Sequence, residues 1–145
     1  VSGDVMNMLK DWVEYGVLGL LLVLSIWAVA IGIARFFYYR RVNVAAWKQR
    51  VELEADLTAG LTTIATAAAN APYVGLLGTV LGIMLTFQTL GATGDIDVKS
   101  IMTGLALALK ATAAGLVVAI PCVALNNALR RKVKLLLARW DAHHG

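Results

Sequence analysis

Residues 16–39 form an uninterrupted apolar run of about 24 residues, GVLGLLLVLSIWAVAIGIARFFYY, in which Arg35 is the only charge. A helix needs roughly 20 apolar residues to cross the hydrocarbon core of a bilayer. Inside that core the backbone must satisfy its own hydrogen bonds, which confines such a run to a helix. It does not read as a signal peptide: the residues before it are acidic (Asp4, Asp11, Glu14), it is long for an h-region, and no small-residue cleavage site follows. Trp12 and Tyr15 at one end, and Phe36, Phe37, Tyr38 and Tyr39 at the other, read as interfacial belts, with Arg35 snorkelling to nearby headgroups. The run is Leu/Val/Ile-rich almost all round, so this helix is expected to face lipid.

Two further runs, 73–91 and 101–129, predict a second and a third span, separated by a short turn with Gly91, Gly94, Asp95 and Asp97. The reading is an all-α membrane protein, one domain over 1–145. Bulk composition agrees: 59% hydrophobic and 15% charged, where soluble chains hold about half and about a quarter. The loop 40–71 differs in kind. Lys48, Arg50, Glu52, Glu54 and Asp56 stand among apolar residues at helical spacing, Val51, Leu57, Leu61 and Ile64. This predicts one or two amphipathic helices ending at Asn70-Ala71-Pro72, where proline places a break or kink. Pro121 places another kink in the third span. The tail 130–145 reads as a basic amphipathic helix, lying on the membrane surface or packing against its own bundle. His143 and His144 read as solvated terminal residues.

Charge placement sets the expected topology. Nine of the 13 Lys and Arg fall in two clusters after apolar spans: Arg40, Arg41, Lys48 and Arg50, then Arg130, Arg131, Lys132, Lys134 and Arg139. The N-terminal segment and the short turn hold only Lys10 and Lys99. Positive charge stays in the cytoplasm, so loop and tail are expected inside and the N-terminus outside. The net charge of +4 therefore points to lipid headgroups rather than nucleic acid. Cys122, the single cysteine, reads as a packing residue and forms neither an intrachain disulfide nor a Cys-rich metal site. No cofactor is implied.

The second and third spans carry small residues in stripes: Gly75, Gly78, Thr79, Gly82 and Thr86, then Gly104, Ala108, Ala111, Thr112, Gly115 and Ala119. Small residues let helix backbones approach closely in lipid. Packing within the chain explains part of this pattern. Three helices are not expected to use two such broad seams, so a homo-oligomer is favoured, with seams against neighbouring copies or a lumen. Thr79, Thr86 and Thr112 on these faces either bond their own helix backbone or line a polar path. All nine acids fall outside the three apolar runs. A proton relay needs an ionisable group inside the membrane, so a partner would have to supply it. Lys110 lies deep in the third run, where a lysine costs roughly 2.5–3.5 kcal/mol on insertion scales. It snorkels or bonds carbonyls at a subunit contact, serves as counter-ion to a partner carboxylate, or sits there neutral. Two residues separate it from Thr112, about 200° of helix rotation, so the two do not share a face.

Residues 71–87, APYVGLLGTVLGIMLTF, and 105–121, LALALKATAAGLVVAIP, resemble the ExbB/TolQ proton-channel family, relatives of the flagellar stator MotA. The resemblance covers roughly the last 75 residues, and the compact loop is similar to the short ExbB type. It implies an inner-membrane pentamer around transmembrane helices of ExbD. Proton flow would drive TonB and energise outer-membrane import of iron-siderophores and vitamins. The family's pore-facing threonines correspond to Thr79 and Thr112, beside an aspartate of ExbD. Where many members carry a glutamate, this chain has Leu107, with Lys110 three residues on. That departure removes a glutamate-based step and shifts proton carriage to the partner. A TolQ-type role with TolR and a non-conducting scaffold remain as alternatives. A secondary transporter would need its own in-span acid, and an enzyme a nucleophile–base pair, metal cluster or phosphate loop.

Overall fold

The computed structural model describes residues 2–94 and 96–144; Asp95 of the short turn lies outside the described residues. In chain order it contains α1 (Ser2–Arg41), a single 3-10 turn (Val44–Ala46), α2 (Arg50–Leu57), α3 (Leu61–Thr93) and α4 (Val98–His144). No strand occurs among the described residues. Helices α1, α3 and α4 are each long and apolar enough to cross a membrane. Their 40, 33 and 47 residues exceed what a span requires. The three expected spans thus lie inside longer helices.

Two expected boundaries move. The loop helices do not end at Asn70-Ala71-Pro72: α3 begins at Leu61 and continues through Pro72. The break falls at residues 58–60 instead, where Gly60 adopts φ +83°, a left-handed conformation that a Cβ disfavours. Proline removes one ladder bond, a loss that a long helix packed against its neighbours tolerates. The tail is not a separate helix either. Residues 130–144 continue α4, which also runs through Pro121.

By its contacts the chain forms two compact units, with boundaries inside α1, α3 and α4. The first comprises Val1–Leu24 and Asn70–Ala119. Val17, Leu21, Ala71, Ala111 and Ala119 form its buried core, with Val13, Val74, Ala114 and Val118 against it. Its helix ends are chemically marked. Gly94, at φ +71°, closes α3 with its N–H on Leu90 O at 2.9 Å. Asp97 caps α4, its Oδ1 accepting the Ser100 N–H at 2.8 Å. Hydrogen bonds from the Ser100 side chain and then its backbone hold the Asp97 carboxyl below its ordinary value.

The second unit comprises Ser25–Ala69 and Ile120–Gly145. Leu53, Leu57, Leu61 and Ile64 are fully buried here, while Val51, expected on the same face, is 77% exposed. Leu129, Val133, Leu136 and Leu137 are buried as a helical stripe. Cys122 is buried as well, matching its reading as a packing residue. The last carbonyls of α2 receive donors from α1: Arg35 Nη1 to Asp56 O at 2.8 Å, and the Tyr39 hydroxyl to Leu57 O. Tyr38 donates to the Asp56 carboxylate, and the Arg35 guanidinium lies 4.6 Å from the Tyr38 ring centroid. A cation at a helix C-terminus is favoured by the exposed carbonyl dipoles. This overturns two belt assignments. Tyr39 is buried and Arg35 is committed to α2, whereas Phe36, Phe37, Trp12 and Tyr15 remain exposed as expected. Trp140 Nε1 donates to Trp47 O at 2.9 Å, tying the 3-10 segment to the end of α4.

Candidate functional site

The site lies in the first unit, where α3 meets α4. Gly75 and Gly115 mark the closest approach. A Cβ at Gly75 would sit 2.6 Å from Ala111 O and 3.1 Å from Gly115 Cα; one at Gly115 would sit 2.6 Å from Ala71 O. One turn on, Gly78 meets Ala111 Cβ and Val17, Gly82 meets Ala108, and Gly104 meets the Thr86 side chain. The two small-residue stripes therefore pack against each other within one chain. Each seam is complementary to the other, so the pair does not by itself require a neighbouring copy, as the sequence had implied.

This close approach brings two hydroxyls together. Thr79, on α3 and buried, hydrogen-bonds Thr112 of α4, which is half-buried. Thr79 Oγ1 also lies 2.9 Å from Ala108 O, in position to donate to it. A threonine hydroxyl carries one proton. Thr79 spends its proton on Ala108 O, so Thr112 donates to Thr79. Thr112 then keeps unused acceptor capacity on its half-exposed side.

Thr86 follows the other reading offered by the sequence. It is buried and donates to Gly82 O, four residues back, at 2.8 Å. It does not join the Thr79–Thr112 pair. Thr89 likewise donates to Leu85 O at 2.7 Å. The structure thus separates one interhelical hydroxyl pair from helix-internal threonines, a distinction that spacing alone did not make.

Lys110 lies on another face of α4 from Thr112, as the rotation argument required. Its Nζ is 3.4 Å from Glu14 Oε1, an acid of the same chain on α1. Sequence counting placed Glu14 outside the first span because the apolar run begins at Gly16. In the folded chain it stands beside the lysine deep in the third run. Glu14 is therefore the carboxylate that this chain itself places against Lys110. The signal was present in the sequence: Glu14 precedes Val17 and Leu21 by three and seven residues, which puts it on the buried stripe of α1.

Glu14 also borders a cavity of about 310 Å³. Lys10 and Asp11 line it from α1, Gly78, Gly82 and Thr86 from α3, and Gly104, Leu107 and Ala108 from α4. The Leu107 position, where the family resemblance placed a glutamate in many members, therefore opens on the same space as Glu14.

Comparison with known proteins bears on what this arrangement does. The profile of the MotA/TolQ/ExbB proton channel family matches residues 40–142. The chain is 53% identical over 140 residues to a biopolymer transport protein ExbB of Aquifex aeolicus (strain VF5), covering 97% of this chain and 95% of that protein. It is 49% identical over 136 residues to a putative biopolymer transport protein ExbB-like 2 of Helicobacter pylori (strain ATCC 700392 / 26695), covering 94% and 91%. Similarity to a Tol-Pal system protein TolQ of Pseudomonas aeruginosa is 38% over 101 residues, covering 70% of this chain and 42% of that one.

Proposed function

The chain belongs to the MotA/TolQ/ExbB proton channel family, and on that premise we propose that it is the proton-conducting subunit of an ExbB-type inner-membrane motor. Five copies surround the transmembrane helices of ExbD, and proton flow energises TonB-dependent import of siderophores and vitamins. Loop 40–71 and tail 130–145 lie in the cytoplasm and the N-terminus in the periplasm, as the Lys and Arg asymmetry supports. Membrane lipid covers the exposed apolar side of α1.

The Thr79–Thr112 pair is the observation that carries this reading. An aspartate on the partner helix takes up a proton from the periplasmic side and meets Thr112. Protonated, it donates its O–H to the free lone pairs of Thr112. Ionised, it accepts a hydrogen bond from the Thr112 hydroxyl once that hydroxyl has rotated away from Thr79. The pair thereby hydrogen-bonds both protonation states of one carboxyl group, which keeps the energies of the two states close during transfer. Gly75, Gly78, Gly82 and Gly115 act by holding the two helices close enough for the hydroxyls to meet. Thr86 lines the adjoining cavity rather than the pair. The ring itself is supported by the family resemblance, since the seam is filled within the chain.

Thr79→Val and Thr112→Val are expected to abolish energised siderophore uptake while the complex still assembles. Normal uptake in both variants would refute the role. A TolQ-type function in envelope constriction is the second reading, favoured by the identity to the Pseudomonas aeruginosa protein. The ExbB reading is preferred because those relatives align along nearly the whole chain. Purification of the assembled complex and identification of its partner, ExbD or TolR, separates the two.

A further inference from the structure

We propose that Glu14 is a second proton-binding carboxylate of the motor, carried by this chain itself, with Lys110 as its counter-ion. The proposal rests on the proton-channel reading above and adds to it a group that the reading does not use.

Three observations converge on Glu14. Its Oε1 lies 3.4 Å from Lys110 Nζ, across from α1 to α4. It is the more covered partner, with its side chain 26% exposed against 58% for Lys110. It also borders the cavity lined by Gly82 and Thr86 of α3 and by Gly104 and Leu107 of α4. Lys110 and Thr112 are two residues apart on one helix, about 3 Å in rise. Glu14 therefore stands against a side chain from the same turn of α4 as Thr112, on a different face of that helix.

The charged surroundings are few. Lys10 and Asp11 line the cavity from α1, Lys110 faces Glu14 from α4, and Lys99 lines a neighbouring cavity with Lys10. On α3 the residues facing the cavity are Gly78, Gly82 and Thr86, none of them titratable. Among the described residues, Glu14 and Asp11 are the carboxylates that line the cavity, and Glu14 is ion-paired, with Lys110. In the proton step, an O–H bond forms on the Glu14 carboxylate as a hydrated proton in the cavity gives up its proton and becomes water. The ion pair is then lost, and the charged contact between α1 and α4 is released. Release of the proton restores the pair. Glu14 thereby couples proton occupancy of the cavity to the contact between α1 and α4.

The test uses the complex of this chain with its partner in liposomes, read by a pH-sensitive dye and by infrared difference spectroscopy on acidification. Wild type is expected to show, beside the band of the partner carboxyl, a protonated-carboxyl C=O component that Glu14→Gln removes, and Glu14→Gln and Lys110→Met are each expected to lower proton flux about tenfold, the equivalent of about 1.4 kcal/mol. Glu14→Lys combined with Lys110→Glu restores the pair in reverse and is expected to recover most of the flux, with the band. This double variant also covers the case in which Glu14→Gln fails to fold. Wild-type flux in Glu14→Gln overturns the proposal while leaving the channel reading intact. Rescue by the double variant with a carboxyl band that Glu14→Gln leaves unchanged also overturns it, because the band then belongs to another carboxyl group and the pair is only a staple between α1 and α4. Absence of flux in the wild-type complex refutes the channel reading instead.

Discussion

Replacing Gly75 with alanine tests the helix crossing on which the site depends. The added Cβ would lie 2.6 Å from Ala111 O, 3.1 Å from Gly115 Cα and 3.2 Å from Thr112 Cα, all backbone atoms that cannot swing aside. Reaching an ordinary contact of about 3.4 Å requires the helices to part locally by about 0.8 Å. Such overpacking costs about 1–3 kcal/mol. The same movement stretches the 2.9 Å bond from Thr79 to Ala108 O beyond hydrogen-bonding range, a further loss of about 1 kcal/mol. Alanine favours a helix over glycine by about 1 kcal/mol, which offsets part of this. The net expectation is a destabilisation of about 1–3 kcal/mol, seen as a melting temperature lower by several degrees when circular dichroism is followed in detergent. Gly19→Ala is the control, because nothing lies within 4 Å of its Cβ position, and it is expected to melt at or slightly above wild type. If Gly75→Ala melts as high as Gly19→Ala, the close crossing is not what holds α3 and α4 together, and the reasoning fails.

Three further outcomes follow from the geometry. Thr86→Val keeps the buried methyl against Gly104 and loses only a bond to its own helix, so uptake is expected to fall far less than in Thr79→Val; equal losses would contradict the separation drawn between them. Tyr39→Phe takes the donor from Leu57 O in a buried setting and is expected to lower stability by about 1–3 kcal/mol in denaturant unfolding, whereas exposed Tyr15→Phe leaves it unchanged. Asp97 has a folded-state pKa below its ordinary 3.8, so its ionised form stabilises the folded chain above that value. That contribution is lost as pH falls through the depressed value, and the stability gap between wild type and Asp97→Asn should narrow on acidification below 3.8 and stay constant near neutrality.

Hydropathy made the three spans legible because it measures which stretches lipid accepts. It does not report where a helix ends, which is why α3 starts before Pro72 and α4 continues past Leu129. The turn was written in the sequence as Gly60, but Pro72 was the louder punctuation. Spacing also revealed that Gly75, Gly78 and Gly82 share a face, and that Thr112 and Lys110 do not. What it lacked was the partner of each face. Two seams of small residues are equally compatible with a neighbouring copy and with each other, and only the fold distinguishes these. Glu14 was missed for a related reason: an apolar window trims a span at its first acid, while the helix carries that acid onward beside Lys110. Tyr39 and Arg35 were assigned to the membrane surface because aromatic and basic residues end a span there, and only the placement of α2 reveals carbonyls that need donors.

Cys122 is the single thiol in the chain and is 3% exposed within the packing of the second unit. It therefore serves as a built-in reporter that no engineering is required to install. A thiol reagent reaches it only in molecules whose packing has opened, so in the fast-exchange regime the labelling rate reads the open fraction directly. Followed during proton flux and at rest, that rate would reveal whether the working motor loosens this part of the chain in each cycle or carries it as a rigid body.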